Sequence, residues 1–148
     1  WYARHWREPD EIGKMLVGLS ICILAPVVLA LASATVARTG QPVSLVWALA
    51  FHLLNDLGFA NLLPVGLALY SRAAPKGVEA TMVAVYTLQF AVANFLTGYL
   101  AGLLTAMPGF NFWMLHAGIM LLAGILLLLV RKVAGRTLAP EYQSPPAS

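Results

Sequence analysis

The chain has 148 residues, of which 60% are hydrophobic and only 10% charged, and its formal net charge is +3. A soluble domain of this length carries roughly 25% charged residues, so the composition excludes an ordinary water-soluble fold and makes lipid the solvent for most of the chain. All the charges but Asp56 lie between, beside or outside the apolar runs, and no basic run is interleaved with aromatics; this argues against a nucleic-acid partner and directs the positive charge toward anionic lipid head groups.

The first stretch, WYARHWREPDEIGK, is polar and reads as a loop over residues 1–14. It opens on Trp1, with neither an initiator methionine nor a signal peptide, and the expectation is a piece of a longer protein. The first apolar run extends from about Met15 to Ala37, long enough to cross the ~20-residue hydrocarbon core as a helix. It contains Cys22, the single cysteine, which rules out an internal disulfide and reads as a buried, inert thiol. ARTGQPVS then breaks the helix, and a second run extends from about Val43 to Tyr70.

The second run holds the anomaly of the sequence. In FHLLNDLGFANLLPVGLAL, Asp56 lies close to the middle of the span, with Asn55 beside it and His52 one turn earlier on the same helical face. A charge at the bilayer centre costs about 2.5–3.5 kcal/mol on insertion scales, so an intramembrane carboxylate is expected to face protein or a wet passage. A buried polar cluster tying helices together is one reading; a substrate or proton site is the other. The second is favoured because Gly58, Pro64 and Gly66 make the same helix easy to bend, and interrupted helices mark binding sites in transporters. His52 and Asp56 alone make too small a ligand set for a metal.

SRAAPKG leads to the third run, about Val78 to Ala106, and MPGFN to the fourth, about Asn111 to Val130. In the third, Tyr86, Gln89 and Asn94 are polar groups that either face the same passage or bond between helices. Ala91, Asn94, Gly98 and Ala101 recur at helical spacing and Gly98 to Gly102 is a GxxxG step, from which close packing within the chain is expected, or alternatively a dimer face. His116 in the fourth run reads as a packed core histidine. Trp47, Tyr70, Tyr99, Phe110, Phe112 and Trp113 stand near span ends, where interfacial anchors belong. The tail after Arg136, rich in proline, is expected to be disordered.

The fold class predicted is therefore all-α, with four transmembrane helices, because continuous apolar runs satisfy their backbone only as helices and not as barrel strands. Four crossings put Arg4, Arg7, Lys14, Arg72, Lys76, Arg131, Lys132 and Arg136 on one side and Arg38 on the other. By the positive-inside rule both termini are cytoplasmic. No nucleophile elbow, H-E-x-x-H or phosphate loop is present, so no enzyme activity is expected.

Certain of these residues resemble a family. LGFANLLPVGLALYSRAAP followed by MVAVYTLQFAVANFLTGYLAG is similar to the late helices of the proton-dependent oligopeptide transporters, within the major facilitator superfamily. Leu57, Gly58, Pro64, Val65, Gly66, Leu67, Ala74 and Pro75 match that family's tenth-helix pattern, LGE…SPVGL…AP. Asn94 and Gly98 match its eleventh, and Lys14 with Gly18 matches the approach to its ninth. The resemblance spans roughly Glu8 to Arg136 and implies helices nine to twelve, in the C-terminal six-helix half of a twelve-helix fold. It also implies proton-coupled symport of di- or tripeptides, or a related small solute, by alternating access across the bacterial inner membrane. The partners implied are the solute, protons as coupling ion, lipid and the N-terminal helices of the same transporter, with no other cofactor.

Where the family has the Glu of LGE, this chain has Phe59, and Asp56 stands one turn earlier, about 60° around the helix axis. The expected pathway residues are Asp56, Asn55 and His52, with Phe59 and Tyr86 as walls and Asn94 bonding between helices. Two further readings stand beside this one: a four-helix scaffold or assembly module that transports nothing, and a small dimeric exporter. The exporter is disfavoured, because such proteins carry a carboxylate in a first span that here has none.

Overall fold

The computed structural model describes residues 9–138, with side chains through Val133. The order of elements is α1 (Glu11–Thr39), α2 (Val46–Ala73), α3 (Glu79–Ala101), a 3-10 turn (Gly102–Thr105) and α4 (Gly109–Leu138). All four segments, α3 together with its 3-10 turn, are long and apolar enough to cross a membrane.

The ends follow from local chemistry. Asp10 caps α1, its carboxylate accepting the Gly13 N–H at 3.0 Å, so residues expected in the leading loop are already helical from Glu11. The helix stops at Gly40, whose φ of 65° lets its N–H close on the Val36 carbonyl at 2.9 Å; such a left-handed cap suits glycine. Ala74 is extended, as the residue before Pro75 prefers. Gly77 turns the chain at φ 91° and its N–H is held by the Glu79 carboxylate at 2.9 Å. The fourth helix runs on to Leu138, past the limit expected from hydropathy and into the region read as a disordered tail. The rest of that tail, like residues 1–8, lies outside the described residues.

Two seams hold the molecule together, and α1 belongs to both. Along α4 the register is antiparallel and regular: Asp10 meets Arg131, Gly124 faces Leu19, and Gly109 faces Ser33. Along α2 the approach is closer. A Cβ on Gly18 would come within 2.7 Å of the Gly58 carbonyl oxygen, and one on Gly58 within 2.5 Å of the Gly18 carbonyl oxygen and against Cys22 Sγ. Backbones touch there because all three residues are small, which matters where lipid removes the usual hydrophobic drive. The Cys22 thiol, buried as expected, donates to the Asn55 carbonyl at 3.6 Å.

The third helix is attached differently. Tyr86 is its one buried residue among those described. The Tyr86 ring covers Gly66, where a Cβ would displace the ring, and its hydroxyl donates to the Leu63 carbonyl at 3.3 Å. Phe90 meets Phe59 with ring centroids 6.2 Å apart. Here the sequence expectation needs correction: Gly98 and Gly102 have no atom within 4 Å of a Cβ built on them, so the GxxxG step of α3 packs on nothing among the described residues. Spacing alone declares that a close approach is tolerated; it does not name the partner. Phe112 is also no interfacial anchor. It is 5% exposed, in an aromatic cluster with Trp113 and His116 at centroid distances of 5.0 and 4.5 Å.

Candidate functional site

The second helix is continuous through Pro64, although proline supplies no N–H for the carbonyl four residues earlier. Its inner face, toward α1, carries Gly58. Two residues of helix rotate the chain by about 200°, so Asp56 projects from nearly the opposite side. Asp56 and His52 are both exposed, and Asn55, nearer the α1 seam, is half-buried. Among the described residues Asp56 makes no ion pair or hydrogen bond, and His52 meets only the edge of Phe51, at 5.1 Å. The three polar groups therefore occupy one level of α2, and the carboxylate is directed away from the helix that α2 packs against most closely.

The antiparallel register of α2 and α3 adds a fourth member. Tyr86 lies at Leu63 and Phe90 at Phe59, so a further turn along α3 brings Asn94 to the depth of Asn55 and Asp56. Asn94 is exposed there, and the interhelical bond expected of it is not formed among the described residues. Phe59 stands beside this level against Phe90, as an apolar wall. Tyr86 does not join it: it is about 10 Å further along the axis, with its hydroxyl occupied at Leu63. Sequence reasoning placed Tyr86 by its aromatic character; the close fit of Gly66 beneath its ring was the signal that it joins two helices.

Tyr86 lines a different feature, a partly open cavity of about 420 Å³ toward the charged ends of the helices, where α1, α2, α3 and α4 converge. Gln89, also weighed as a pathway residue, lines it as well. His116 is half-buried, and its Nδ1 lies 2.9 Å from the Phe112 carbonyl oxygen. Since a carbonyl only accepts, Nδ1 carries the hydrogen, which fits a packed histidine. Among the described residues no three of His, Cys, Asp and Glu converge as metal ligands would.

Ion pairs join helix ends on the charged side. Arg72, at the end of α2, reaches Glu11 at 2.6 Å, and Arg131 of α4 reaches Asp10 at 2.8 Å. The start of α1 and the late parts of α2 and α4 therefore lie on one side, as four alternating crossings require.

No solved structure matches the chain. Among curated proteins it is similar to a di-/tripeptide transporter of Lactococcus lactis subsp. lactis (strain IL1403), 24% identical over 132 residues, which is 89% of this chain and 26% of that protein. The chain thus spans about a quarter of the length of the curated relative it matches. The family description that matches it, the POT family, covers residues 2–114. That range takes in the Asp10 cap, the Gly18–Gly58 seam, the polar level of α2, all of α3 and the first turn of α4, so the chain belongs to the POT family of transporters.

Proposed function

We propose that the chain is the four-helix C-terminal portion, helices nine to twelve, of a proton-coupled symporter for di- or tripeptides or a related small solute. Family membership supports the class, and the similarity to the Lactococcus di-/tripeptide transporter supports the peptide. The observation that carries the reading at the level of residues is the Asp56 carboxylate, exposed on the face of α2 turned from the α1 seam and at the depth of Asn94. In a transporter of this class such a face borders the passage between the two halves, and the bilayer penalty is avoided by water or by a cationic partner.

In this reading Asp56 receives a substrate amine or a proton. Solute and proton then compete for or share one carboxylate. Asn55, His52 and Asn94 shape the polar surroundings, and Phe59 limits the width. The two six-helix halves rock about this level, exposing it alternately to each side. The concentration of Lys and Arg at one set of helix ends supports cytoplasmic termini in a bacterial inner membrane.

The test is uptake of labelled dipeptide by the full-length protein in proteoliposomes under an imposed proton gradient. Uptake that depends on the gradient supports the reading; uptake indifferent to it removes the coupling, and no uptake of any short peptide removes the substrate class.

A further inference from the structure

The cavity of about 420 Å³ lies far from Asp56. Its lining includes Ile12 and Met15 of α1, Leu69 and Ala73 of α2, Met82 of α3 and Leu127 of α4, and among the described residues its polar contributions are the Gln89 amide and the tyrosines 70 and 86. The Tyr86 hydroxyl is already bonded to Leu63. Ligand sites commonly measure about 300–1,000 Å³, so the size admits a small ligand or a section of chain. The chemistry decides which: a short peptide needs a partner for each of its two charged ends, and among the described residues no charged side chain lines this space.

Charge is instead concentrated at the rim. Ala73 follows Arg72, Ile12 follows Glu11, and Val130 precedes Arg131. Arg72 and Arg131 bind the adjacent carboxylates Glu11 and Asp10, which places both guanidinium groups at the start of α1. Their side chains remain 52% and 44% exposed, and each guanidinium has more N–H groups than its carboxylate takes up. With Lys14, Lys76 and Lys132, five cations stand at this end against the three carboxylates Asp10, Glu11 and Glu79, among the residues whose side chains are described. Basic pockets between helices on the cytoplasmic side of a membrane suit anionic lipid head groups.

We propose that this cavity seats one acyl chain of an anionic phospholipid, whose phosphate lies against Arg72 and Arg131 at the rim. The lipid fills an apolar space that would otherwise stay poorly packed, and it bridges α3, the least attached helix, to α1 and α4. This site is independent of the solute pathway proposed above, and it can fail or stand without it.

The test uses the full-length protein in nanodiscs doped with phosphatidylglycerol carrying a diazirine on its acyl chain. Cross-links are expected in the peptides holding Met82–Gln89 and Leu127–Val130. They should be suppressed by unlabelled phosphatidylglycerol and not by phosphatidylcholine. Ala73→Trp, which fills the cavity, should lower retention of phosphatidylglycerol on purification. Arg72→Gln should lower retention of phosphatidylglycerol alone, about fivefold for one cation removed near the surface. Cross-links no denser there than at Phe95 and Leu96 on the outer side of α3, or equal competition by the two lipids, would overturn the proposal. So would protection of the cavity by another segment of the protein. The unsubstituted protein supplies the cross-link map, so the outcome does not depend on how either variant folds.

Discussion

Gly18 and Gly58 face each other across α1 and α2 so closely that a Cβ on either would stand 2.5–2.7 Å from the other's carbonyl oxygen. Real Cβ atoms do not come that near to an oxygen, so any side chain at either position must push two backbones apart. Gly58→Ala is therefore expected to destabilise the protein by about 1–3 kcal/mol, the usual cost of overfilling a packed interface. Cys22→Ala should not rescue it, because the Gly18 carbonyl and the Cys22 N–H (2.9 Å from that Cβ) both belong to the backbone. Thermal unfolding of the full-length protein in detergent measures both; full recovery in the double variant would show that the thiol alone sets the spacing.

Asp10 has two tasks that substitution can separate. It caps α1 through the Gly13 N–H and it pairs with Arg131 through both carboxylate oxygens, at 2.8 and 3.1 Å. Asp10→Asn keeps a capping oxygen and loses the charge; Asp10→Ala loses both. Exposed ion pairs contribute roughly 0–1 kcal/mol, whereas loss of a cap costs about 0.5–2 kcal/mol. The Ala variant should be the less stable of the two, and high salt should shrink the ion-pair loss that both variants share while leaving the capping difference between them. Equal melting temperatures for the two variants would show that the cap contributes nothing.

Tyr86 should behave as a helix-to-helix fastener. Removing its hydroxyl in Tyr86→Phe forfeits the bond to the Leu63 carbonyl at 3.3 Å, for which interhelical bonds in membranes suggest about 0.6 kcal/mol. Removing the ring in Tyr86→Ala also uncovers Gly66 and widens the lipid-sized cavity, at about 3–5 kcal/mol by analogy with large-to-small core changes. Unfolding curves should rank the variants in that order. If Tyr86→Phe instead abolished uptake with no change in stability, the hydroxyl would have to act on solute rather than on α2.

The four helices and their punctuation were legible because hydrocarbon leaves a continuous apolar run few choices, and because Gly40, Pro75 and Gly77 each break the chain for a local reason. Which small residues meet was not legible. Gly98 and Gly102 spell the better-known spacing and yet have no neighbour among the described residues, while Gly18 and Cys22, four apart in the same way, form the tight crossing with Gly58. A thiol is small enough to act as the second member of such a step, and that was the available signal. The depth of Asn94 beside Asp56 also escaped sequence reasoning, since it follows from the register fixed by Tyr86 and Phe59. Tyr86 itself, an aromatic near Gln89 in an apolar helix, reads equally as a wall or a fastener until its partner Gly66 is seen.

The exposed Asp56 leads to the last prediction, on position rather than mere presence of charge. In the full-length protein Asp56→Asn retains shape and removes the negative charge. Losing one charged partner of a substrate amine costs about 1–3 kcal/mol, so proton-driven uptake should fall roughly ten- to a hundredfold. The related family pattern carries its carboxylate three residues later, at the position of Phe59, about 60° away around the axis. Phe59→Glu in the Asp56→Asn background should therefore recover part of the uptake, limited by Phe90, whose ring centroid lies 6.2 Å from that of Phe59. Recovery should be accompanied by a return of the dependence on external pH. Should Asp56→Asn leave uptake and its pH profile unaltered, the carboxylate would be a structural group and the coupling site would have to lie elsewhere in the protein. Should the double variant fold and stay inactive, Asp56 would be required at its own angle on α2, and this chain's site would differ in geometry from the LGE pattern it resembles.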